Sequence, residues 1–369
     1  MRFLCERDEL YEAVSAAGRA LLGRVTSGVK LSLVSDSLHV AGRGPDLMIE
    51  VDIRVNGIED GITVIPATLF ADLVRSMPEG VVECSADDNT AILKAARTEL
   101  SVQTYPDLDP PFIKGESVDQ VVVPCDSLRE GLQQVVRASS KDDTRDVMYT
   151  GILFSSTDSG LRLVATDGIR LALRDMVGMS VLNAAVGEEV IVPARSLVEF
   201  DRIIQSARGR VEDLSVSISS REAVFSFDQT VLTTRLIDGK FRDYKQLLQP
   251  SYPRVLLVDK QAIVEALRRL RRLAKEAREM THLRCDINSL SMDLSVRIPQ
   301  VGQAKESIDA TFSGDDFGVA FDPELLLDGI NAVTSDIVRI EFTENNRPAC
   351  ISNADNRDFQ YIVMPIKLK

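Results

Sequence analysis

The side chains that most often carry chemistry are few in this sequence and stand far apart. There are two histidines, His39 and His282, and five cysteines without a C-x-x-C pair. The sequence contains no G-x-x-x-x-G-K-[ST], G-x-G-x-x-G, H-E-x-x-H or G-x-S-x-G motif, which are signatures of nucleotide, dinucleotide, zinc-protease and hydrolase sites. Acidic pairs such as Asp315 and Asp316 lack a histidine or further carboxylate at metal-site spacing. We therefore expect a protein that is not an enzyme and needs no metal or cofactor.

The cysteines do not indicate a disulfide framework. Their number is odd, and most lie in or beside apolar runs, at Cys5, Cys84, Cys125, Cys285 and Cys350. We expect them to be buried, reduced thiols of a cytoplasmic protein. No apolar run approaches the roughly 20 residues of a membrane span. The opening residues MRFLCERDEL lack the apolar core of a signal peptide, so we expect no membrane association.

Positive charge is concentrated locally, although the chain as a whole is acidic. The formal net charge is −13, yet residues 260–280 hold seven basic groups and three acidic ones. Other basic residues lie on or just after further predicted helices. The candidates for contact with a polyanion are Arg24, Arg137, Lys141, Arg145, Arg202, Arg268, Arg271, Arg272 and Lys275.

Two interpretations of these cations remain open. They can form the solvated face of ordinary helices, or a surface that contacts phosphate groups without reading sequence. Tryptophan is absent and aromatic residues make up only 5% of the chain. A platform that stacks single-stranded bases is therefore not expected.

The elements that position these residues recur three times along the chain. A short apolar strand, a polar break and an amphipathic helix are predicted at residues 3–21, 121–139 and 255–274. The apolar faces of these helices are Leu10, Ala13, Val14 and Ala17; Leu128, Leu132, Val135 and Val136; and Ile263, Ala266, Leu267 and Leu270.

A second pattern, a strand followed by proline and then another helix, falls within each repeat. Pro66, Pro193 and Pro323 lie 127 and 130 residues apart, and proline is well tolerated in the first turn of a helix. The predicted buried residues behind them are Leu69, Leu73 and Met77; Leu197, Ile203 and Ala207; and Leu325, Ile330 and Val333.

The remaining segments alternate apolar and polar residues, which is typical of half-buried antiparallel strands. The sequence therefore predicts an α+β protein of three repeated domains, at residues 1–116, 117–250 and 251–369, each with antiparallel sheets and two helices on one face. If the repeats form an arc, a head-to-tail contact between two copies would close it into a ring.

Three segments carry a resemblance to a known family. They are Ala165–Ala172 (ATDGIRLA), Leu236–Tyr244 (LIDGKFRDY) and Tyr361–Lys369 (YIVMPIKLK). Together with the threefold repeat, their order and spacing resemble the bacterial sliding clamp family, the β subunit of DNA polymerase III. The resemblance spans the whole chain.

The resemblance implies a function that the motifs alone do not. Members of the family are head-to-tail homodimers of three-domain chains, so this chain would form half of a closed ring. Helices would line a hole that holds double-stranded DNA, and sheets would face outward. The family is a non-catalytic processivity factor that tethers the replicative polymerase, the clamp loader and repair proteins through short peptide motifs.

The resemblance also implies a hydrophobic peptide-binding pocket. Matching motif positions assign to it Tyr149, Thr166, Gly168, Ile169, Arg170, Leu171, Arg242, Gln246, Leu247, Ile362, Val363, Met364, Pro365 and Ile366. The family commonly has His at Ile169, Pro at Arg242 and often Arg at Gln246, and Lys369 is an additional terminal residue.

These departures leave alternatives open. The chain can be a clamp with a lineage-specific pocket, or a second, specialised clamp whose altered pocket tolerates pocket-directed inhibitors. Other classes of protein are an enzyme with an unrecognised site between domains and a DNA-binding scaffold that does not encircle DNA.

Overall fold

The computed structural model describes residues 1–21, 28–107, 120–142, 144, 146–182, 187, 189–207, 211–249, 251–274 and 283–367. The chain divides into two compact units. The first comprises Met1–Leu128, Val181–Gly187 and Arg195–Leu236, and the second comprises Arg129–Ser180, Glu188–Ala194 and Ile237–Lys369. Within the described residues there are six α-helices and 25 strands.

The elements follow one another in three similar series. The first series is β1 (Arg2–Glu6), α1 (Arg7–Gly18), β2 (Gly28–Val34), β3 (Ser37–Arg43), β4 (Leu47–Arg54), β5 (Asn56–Glu59), β6 (Gly61–Pro66), α2 (Ala67–Ser76), β7 (Val81–Ala86), β8 (Thr90–Ala95) and β9 (Thr98–Gln103). The second is β10 (Val121–Pro124), α3 (Cys125–Val135), β11 (Gly151–Thr157), β12 (Gly160–Thr166), β13 (Arg170–Val177), β14 (Glu189–Pro193), α4 (Ala194–Ser206), β15 (Asp213–Ile218), β16 (Glu222–Phe227) and β17 (Thr230–Arg235). The third is β18 (Arg254–Asp259), α5 (Lys260–Ala274), β19 (Leu283–Ile287), β20 (Ser291–Ile298), β21 (Gly302–Ser313), β22 (Phe317–Phe321), α6 (Pro323–Ala332), β23 (Ile337–Phe342), β24 (Ala349–Asn353) and β25 (Phe359–Val363).

This order confirms the predicted repeat and the α+β class. The second and third series are identical, and the first differs only by the short additional strand β5. Short 3-10 helices are present at Val136–Ala138, Val147–Thr150 and Lys245–Leu247. The predicted domain boundaries at residues 116 and 250 fall outside the described residues, so the division into three domains stays a prediction.

Antiparallel sheets form the bulk of both units. The first unit contains a sheet with the strand order β5-β1-β7-β8-β9 and another with the order β10-β15-β16-β17-β4-β3-β2-β6. The second unit contains one sheet with the order β14-β11-β12-β13-β25-β24-β23-β18-β21-β20-β19-β22.

The same kind of strand junction occurs once in each unit. In the first unit, β4 of the first series pairs with β17 of the second, with Ile49 opposite Leu232. In the second unit, β13 of the second series pairs with β25 of the third, with Leu171 opposite Ile362. Each junction pairs the fourth strand of one series with the last strand of the next series.

The helices bury the predicted faces in most cases. Helix α5 buries Ile263, Ala266, Leu267 and Leu270, as its 3.6-residue period predicts. The assignment of Leu69 to the buried face of α2 is wrong, because this side chain is 51% exposed. The buried face is instead formed by Ala67, Phe70, Ala71 and Val74, which recur at the same helical spacing.

The helix starts match the sequence signals only in part. Pro323 is the first residue of α6, while Pro66 and Pro193 are the last residues of the strands before α2 and α4. Asp322 caps α6 by accepting hydrogen bonds from the backbone N–H groups of the next turn, at 2.7 Å and 3.2 Å.

Two further expectations concern buried groups and membranes. All five cysteines are free and buried, as predicted. Among the helices in the described part of the chain, none is both long and apolar enough to cross a membrane.

Candidate functional site

The loop between β12 and β13 is shaped by its own polar side chains. The Thr166 hydroxyl accepts a hydrogen bond from the Gly168 N–H at 3.1 Å and donates one to the Arg170 carbonyl at 2.5 Å. The Asp167 carboxylate accepts the N–H groups of Ile169 and Arg170, both at 3.1 Å. Gly168 has φ +94°, a conformation that favours glycine. These bonds close a tight turn between the two strands, and Ile169 in that turn is exposed to solvent.

The C-terminal residues run beside this loop in the second unit. Strand β25 places Val363 opposite Arg170, and the N–H of Met364 donates to the Ile169 carbonyl at 3.0 Å. After half-buried Pro365, the N–H of Ile366 donates to the Ala320 carbonyl at 2.7 Å. Two of the three motif segments are therefore brought together as the resemblance implied.

A buried cluster supports the loop and the tail from beneath. It contains Leu171 and Ile362 with the aromatic rings of Phe241 and Tyr244, whose centroids are 6.3 Å apart. Burial raises the pKa of Tyr244, although its hydrogen bond to Arg162 acts in the opposite direction. The third motif segment therefore supplies part of the floor.

Tyr149 and Arg242 stand at one side of this site. A Cβ atom on Gly168 would lie 3.9 Å from the Tyr149 ring. The guanidinium carbon of Arg242 lies 5.5 Å from the centroid of the same ring, within the range of a cation–π contact. Gln246 and Leu247 lie on the short helix that follows Tyr244.

Burial separates the predicted pocket residues into two groups. Thr166, Leu171, Ile362 and Val363 are buried and can act only as support. Exposed apolar surface comes from three side chains, Ile169 at 51%, Met364 at 42% and Leu247 at 38%. Such an apolar surface beside a few polar groups can bind a ligand.

Arg170 is held by partners that sequence reasoning missed. Its side chain is 12% exposed, and its Nη1 lies 2.7 Å from an Asp328 carboxylate oxygen while its Nε lies 2.9 Å from Asp167. The same Nη1 donates to the Tyr361 hydroxyl at 3.4 Å, and that hydroxyl donates to the Leu325 carbonyl at 2.9 Å.

Electrostatics follow from this arrangement. Burial raises the pKa of Tyr361, against the effect of the neighbouring guanidinium, so its hydroxyl stays neutral and can donate. The pair of Arg170 and Asp328 spans 158 residues of sequence, and no local signal predicts it. Asp167 and Tyr361 belong to motif segments, so the sequence could have suggested these two partners but not Asp328.

The predicted DNA-facing cations occupy varied positions. Arg268 and Arg272 are exposed on α5, and within the described part of the chain neither has a carboxylate at salt-bridge distance. Arg271 is paired with Glu324 at 2.8 Å, and Arg202 with Glu199 at 2.6 Å.

Two cations lie near the end of α3. Arg137 is exposed on the 3-10 helix after it, 3.5 Å from Asp328, and Lys141 is exposed further along. Arg24, Arg145 and Lys275 lie outside the described residues. Contact of these cations with DNA stays a prediction.

No alternative chemical centre emerges elsewhere in the described ranges. They contain no group of three or more His, Cys, Asp or Glu side chains placed to hold a metal ion. Burial raises the pKa of Cys350 to about 12, so this thiol beneath the pocket is protonated and inert.

Known proteins match this chain over its whole length. The family models of the DNA polymerase III beta subunit match residues 1–114 (N-terminal domain), 122–243 (central domain) and 245–367 (C-terminal domain). The chain is 28% identical over 380 residues to the "Beta sliding clamp" of Streptomyces coelicolor, with both chains fully covered.

Solved structures show the same fold. The chain is similar to the DNA polymerase sliding clamp of Bacillus subtilis, with a TM-score of 0.89, 24% identity and full coverage of both chains. It is likewise similar to a Pseudomonas aeruginosa sliding clamp bound to griselimycin, with a TM-score of 0.88, 23% identity and full coverage of both chains. These comparisons support a sliding clamp and do not favour the alternative of a second, specialised clamp. The chain belongs to the DNA polymerase III beta subunit family.

Proposed function

We propose that this chain is a DNA sliding clamp, a non-catalytic processivity factor that closes around duplex DNA as a head-to-tail homodimer. In this proposal it acts in the cytoplasm, which agrees with its five free, buried cysteines. The observation that carries the proposal is the strand junction that occurs once in each compact unit.

The two junctions suggest how a second copy would attach. Each joins the last strand of one series to the strand of the preceding series that corresponds to β4. By the same rule, β21 of the third series would pair with a last strand, and β9 is the last strand that no junction uses. Since β9 and β21 do not pair with each other among the described residues of one chain, the proposed junction forms between two copies and is head-to-tail.

The edges of these strands support this assignment. Among the described residues, β9 pairs only with β8, and the segment Gly302–Asp309 of β21 pairs only with β20. An open edge presents unpaired backbone N–H and C=O groups, and a partner strand satisfies them. Two such junctions in a homodimer would leave neither edge open and would close a ring.

The exposed cations would let such a ring contact the DNA that it encircles. Exposed Arg268 and Arg272 on α5, with Arg137 and Lys141, supply charge for phosphate contacts that carry no sequence information. Such contacts weaken steeply with salt. A ring that is topologically linked to DNA does not depend on them for retention, which reconciles a few cations with a net charge of −13.

We also propose that the loop, tail and short-helix residues described above form a pocket for peptides of the replicative polymerase, the clamp loader and repair proteins. Exposed Ile169, Met364 and Leu247 would receive apolar side chains, and Tyr149 would border them. The sliding clamp of Pseudomonas aeruginosa, which has this fold, binds griselimycin.

The mass of the protein in solution tests ring closure. Sedimentation should give about twice the chain mass of 40.6 kDa at micromolar concentration. Successive N–H groups of a strand point to opposite edges, so one of Leu100 and Ser101 donates towards β8 and the other points to the open edge of β9. Of the variants Leu100→Pro and Ser101→Pro, one therefore removes only a donor on the open edge. That variant should remain folded and become a monomer.

A matched control keeps this test specific. Ile58→Pro alters β5, at the opposite edge of the same sheet, and Ile58 has no partner in the register between β5 and β1. This variant should remain a dimer. A wild-type monomer would contradict the proposed ring. Folded dimers of both β9 variants would show that this edge is not the junction.

A further inference from the structure

Arg242 differs from Arg170 and Arg162, two other arginines near the site, in having no carboxylate partner within the described ranges. Arg170 is engaged by Asp167 and Asp328, and Arg162 by Asp175 at 2.6 Å and 2.8 Å. The exposed Arg242 makes its contact with the face of Tyr149, and within the described ranges no carboxylate lies at salt-bridge distance from it.

The contact with Tyr149 leaves donors of Arg242 available to a ligand. A guanidinium group carries five N–H donors, and one aromatic ring can engage only some of them. The contact with Tyr149 also limits the orientations that the Arg242 side chain can adopt, which lowers the entropy lost when it binds a ligand. Arg242 can therefore receive a carboxylate while it remains beside the aromatic ring.

The apolar surface of the site lies next to this cation. Tyr149, which contacts Arg242, also lies beside Gly168. The residue after Gly168 is Ile169, whose carbonyl accepts a hydrogen bond from the N–H of Met364. Ile169 and Met364 are both exposed. A ligand that places an apolar side chain on this surface would bring its flanking residues near Arg242.

Local charge favours an acidic flank. The segment 238–246 holds three cations, Lys240, Arg242 and Lys245, against two carboxylates. The net charge of −13 would repel acidic ligands at long range, but salt screens charges beyond about 8 Å at physiological ionic strength. A charge that touches the ligand therefore decides its preference, and Arg242, beside Tyr149 at the apolar surface, is placed to make that contact.

We propose that Arg242 is a specificity-determining residue, which makes this pocket select peptides that carry a carboxylate side chain beside their apolar residues. The inference rests on the proposed function, because it requires peptides to bind at this pocket.

Fluorescence anisotropy with two labelled peptides tests it. The probes share one leucine-rich core and carry either glutamate or glutamine on both flanks, so that the test does not depend on binding direction. At about 50 mM salt, the wild-type protein should bind the glutamate peptide about threefold more tightly, and the preference should shrink as salt is raised. In Arg242→Gln the preference should disappear.

Two further variants separate geometry from simple charge. Lys240→Gln removes an equal charge two residues away and should keep the preference, while Arg242→Lys should keep only part of it. A preference that survives in Arg242→Gln, or that Lys240→Gln abolishes equally, overturns the inference. Equal binding of both peptides by the wild type overturns it but leaves the pocket standing. Binding of neither peptide contradicts both the inference and the proposed peptide pocket.

Discussion

Replacing Asp328 with asparagine removes one of the two carboxylates that neutralise Arg170. The side-chain amide keeps the shape of the carboxylate and an oxygen that can accept the Arg170 N–H, so the change acts mainly on charge. Asp328 also lies 3.5 Å from Arg137. Asp328→Asn therefore measures how much the pair with Arg170 contributes to the free energy of unfolding.

The expected loss of stability follows from how deeply the Arg170 and Asp328 side chains are buried. The Arg170 side chain is 12% exposed and that of Asp328 is 32% exposed, at a separation of 2.7 Å. Breaking a fully buried pair costs about 3–5 kcal/mol, while an exposed pair contributes about 0.2–1 kcal/mol. Because Asp167 still faces Arg170, we expect Asp328→Asn to lower the free energy of unfolding by about 2 kcal/mol.

Thermal unfolding followed by circular dichroism measures this loss. Protein concentration must be fixed, because the proposed dimerisation would shift the midpoint. The variant should unfold roughly 4–8 °C below the wild type in the transition of the second unit. The Arg137 side chain is 54% exposed, so the control Arg137→Gln should cost less than about 0.5 kcal/mol.

A double-mutant cycle with Arg170→Gln isolates the pair. The interaction energy between positions 170 and 328 should be about 1–2 kcal/mol. An unchanged midpoint in Asp328→Asn would refute the reasoning. A cost of Arg137→Gln equal to that of Asp328→Asn would also refute it, since the exposed pair would then carry the energy.

The remaining predictions concern pH, packing and thiols. The pKa of His39 is raised, first through its hydrogen bond to Glu50. Its stabilising effect is therefore fully present below about pH 6.5 and is lost as pH rises through the higher folded-state value, which urea unfolding at several pH values would show. Gly329→Ala places a methyl group 2.4 Å from the Tyr361 ring and should cost about 3 kcal/mol in thermal unfolding. Burial raises the pKa of Cys5 to about 12, and all five thiols should resist a thiol reagent until the protein is unfolded.

Each of these has its own control. His39→Gln should flatten the pH dependence, and an unchanged slope would assign it to other groups. Asn331→Ala, on the same helix as Gly329, separates helix propensity from the clash and should cost little. Rapid labelling of several cysteines in the native protein would contradict their burial.

Local patterns in the sequence were sufficient for the repeat. The face of α5 around Leu267 and Leu270 follows from helical spacing, which depends only on neighbouring residues. The same reasoning failed at Leu69, because two overlapping apolar stripes compete in α2 and the one with Phe70 is buried. Spacing alone does not decide between stripes of similar hydrophobicity.

The candidate site was predictable through its motifs but not through its contacts. The resemblance named Arg170 and Arg242, and the structure supplies what neutralises or orients them. Asp328 pairs with Arg170 across 158 residues of sequence, and Tyr149, which lies outside the three motif segments, contacts Arg242. Contacts of this kind depend on how distant strands and helices pack, which no local pattern records.

Retention on DNA circles tests the central claim most directly. The protein is loaded by a bacterial clamp loader onto a singly nicked plasmid and washed at about 0.5 M salt, which suppresses phosphate contacts. A ring should remain on the circle through the wash and be released when the plasmid is cut once. Loss from circular and linear DNA at the same rate would contradict encirclement and reduce the chain to a DNA-binding scaffold.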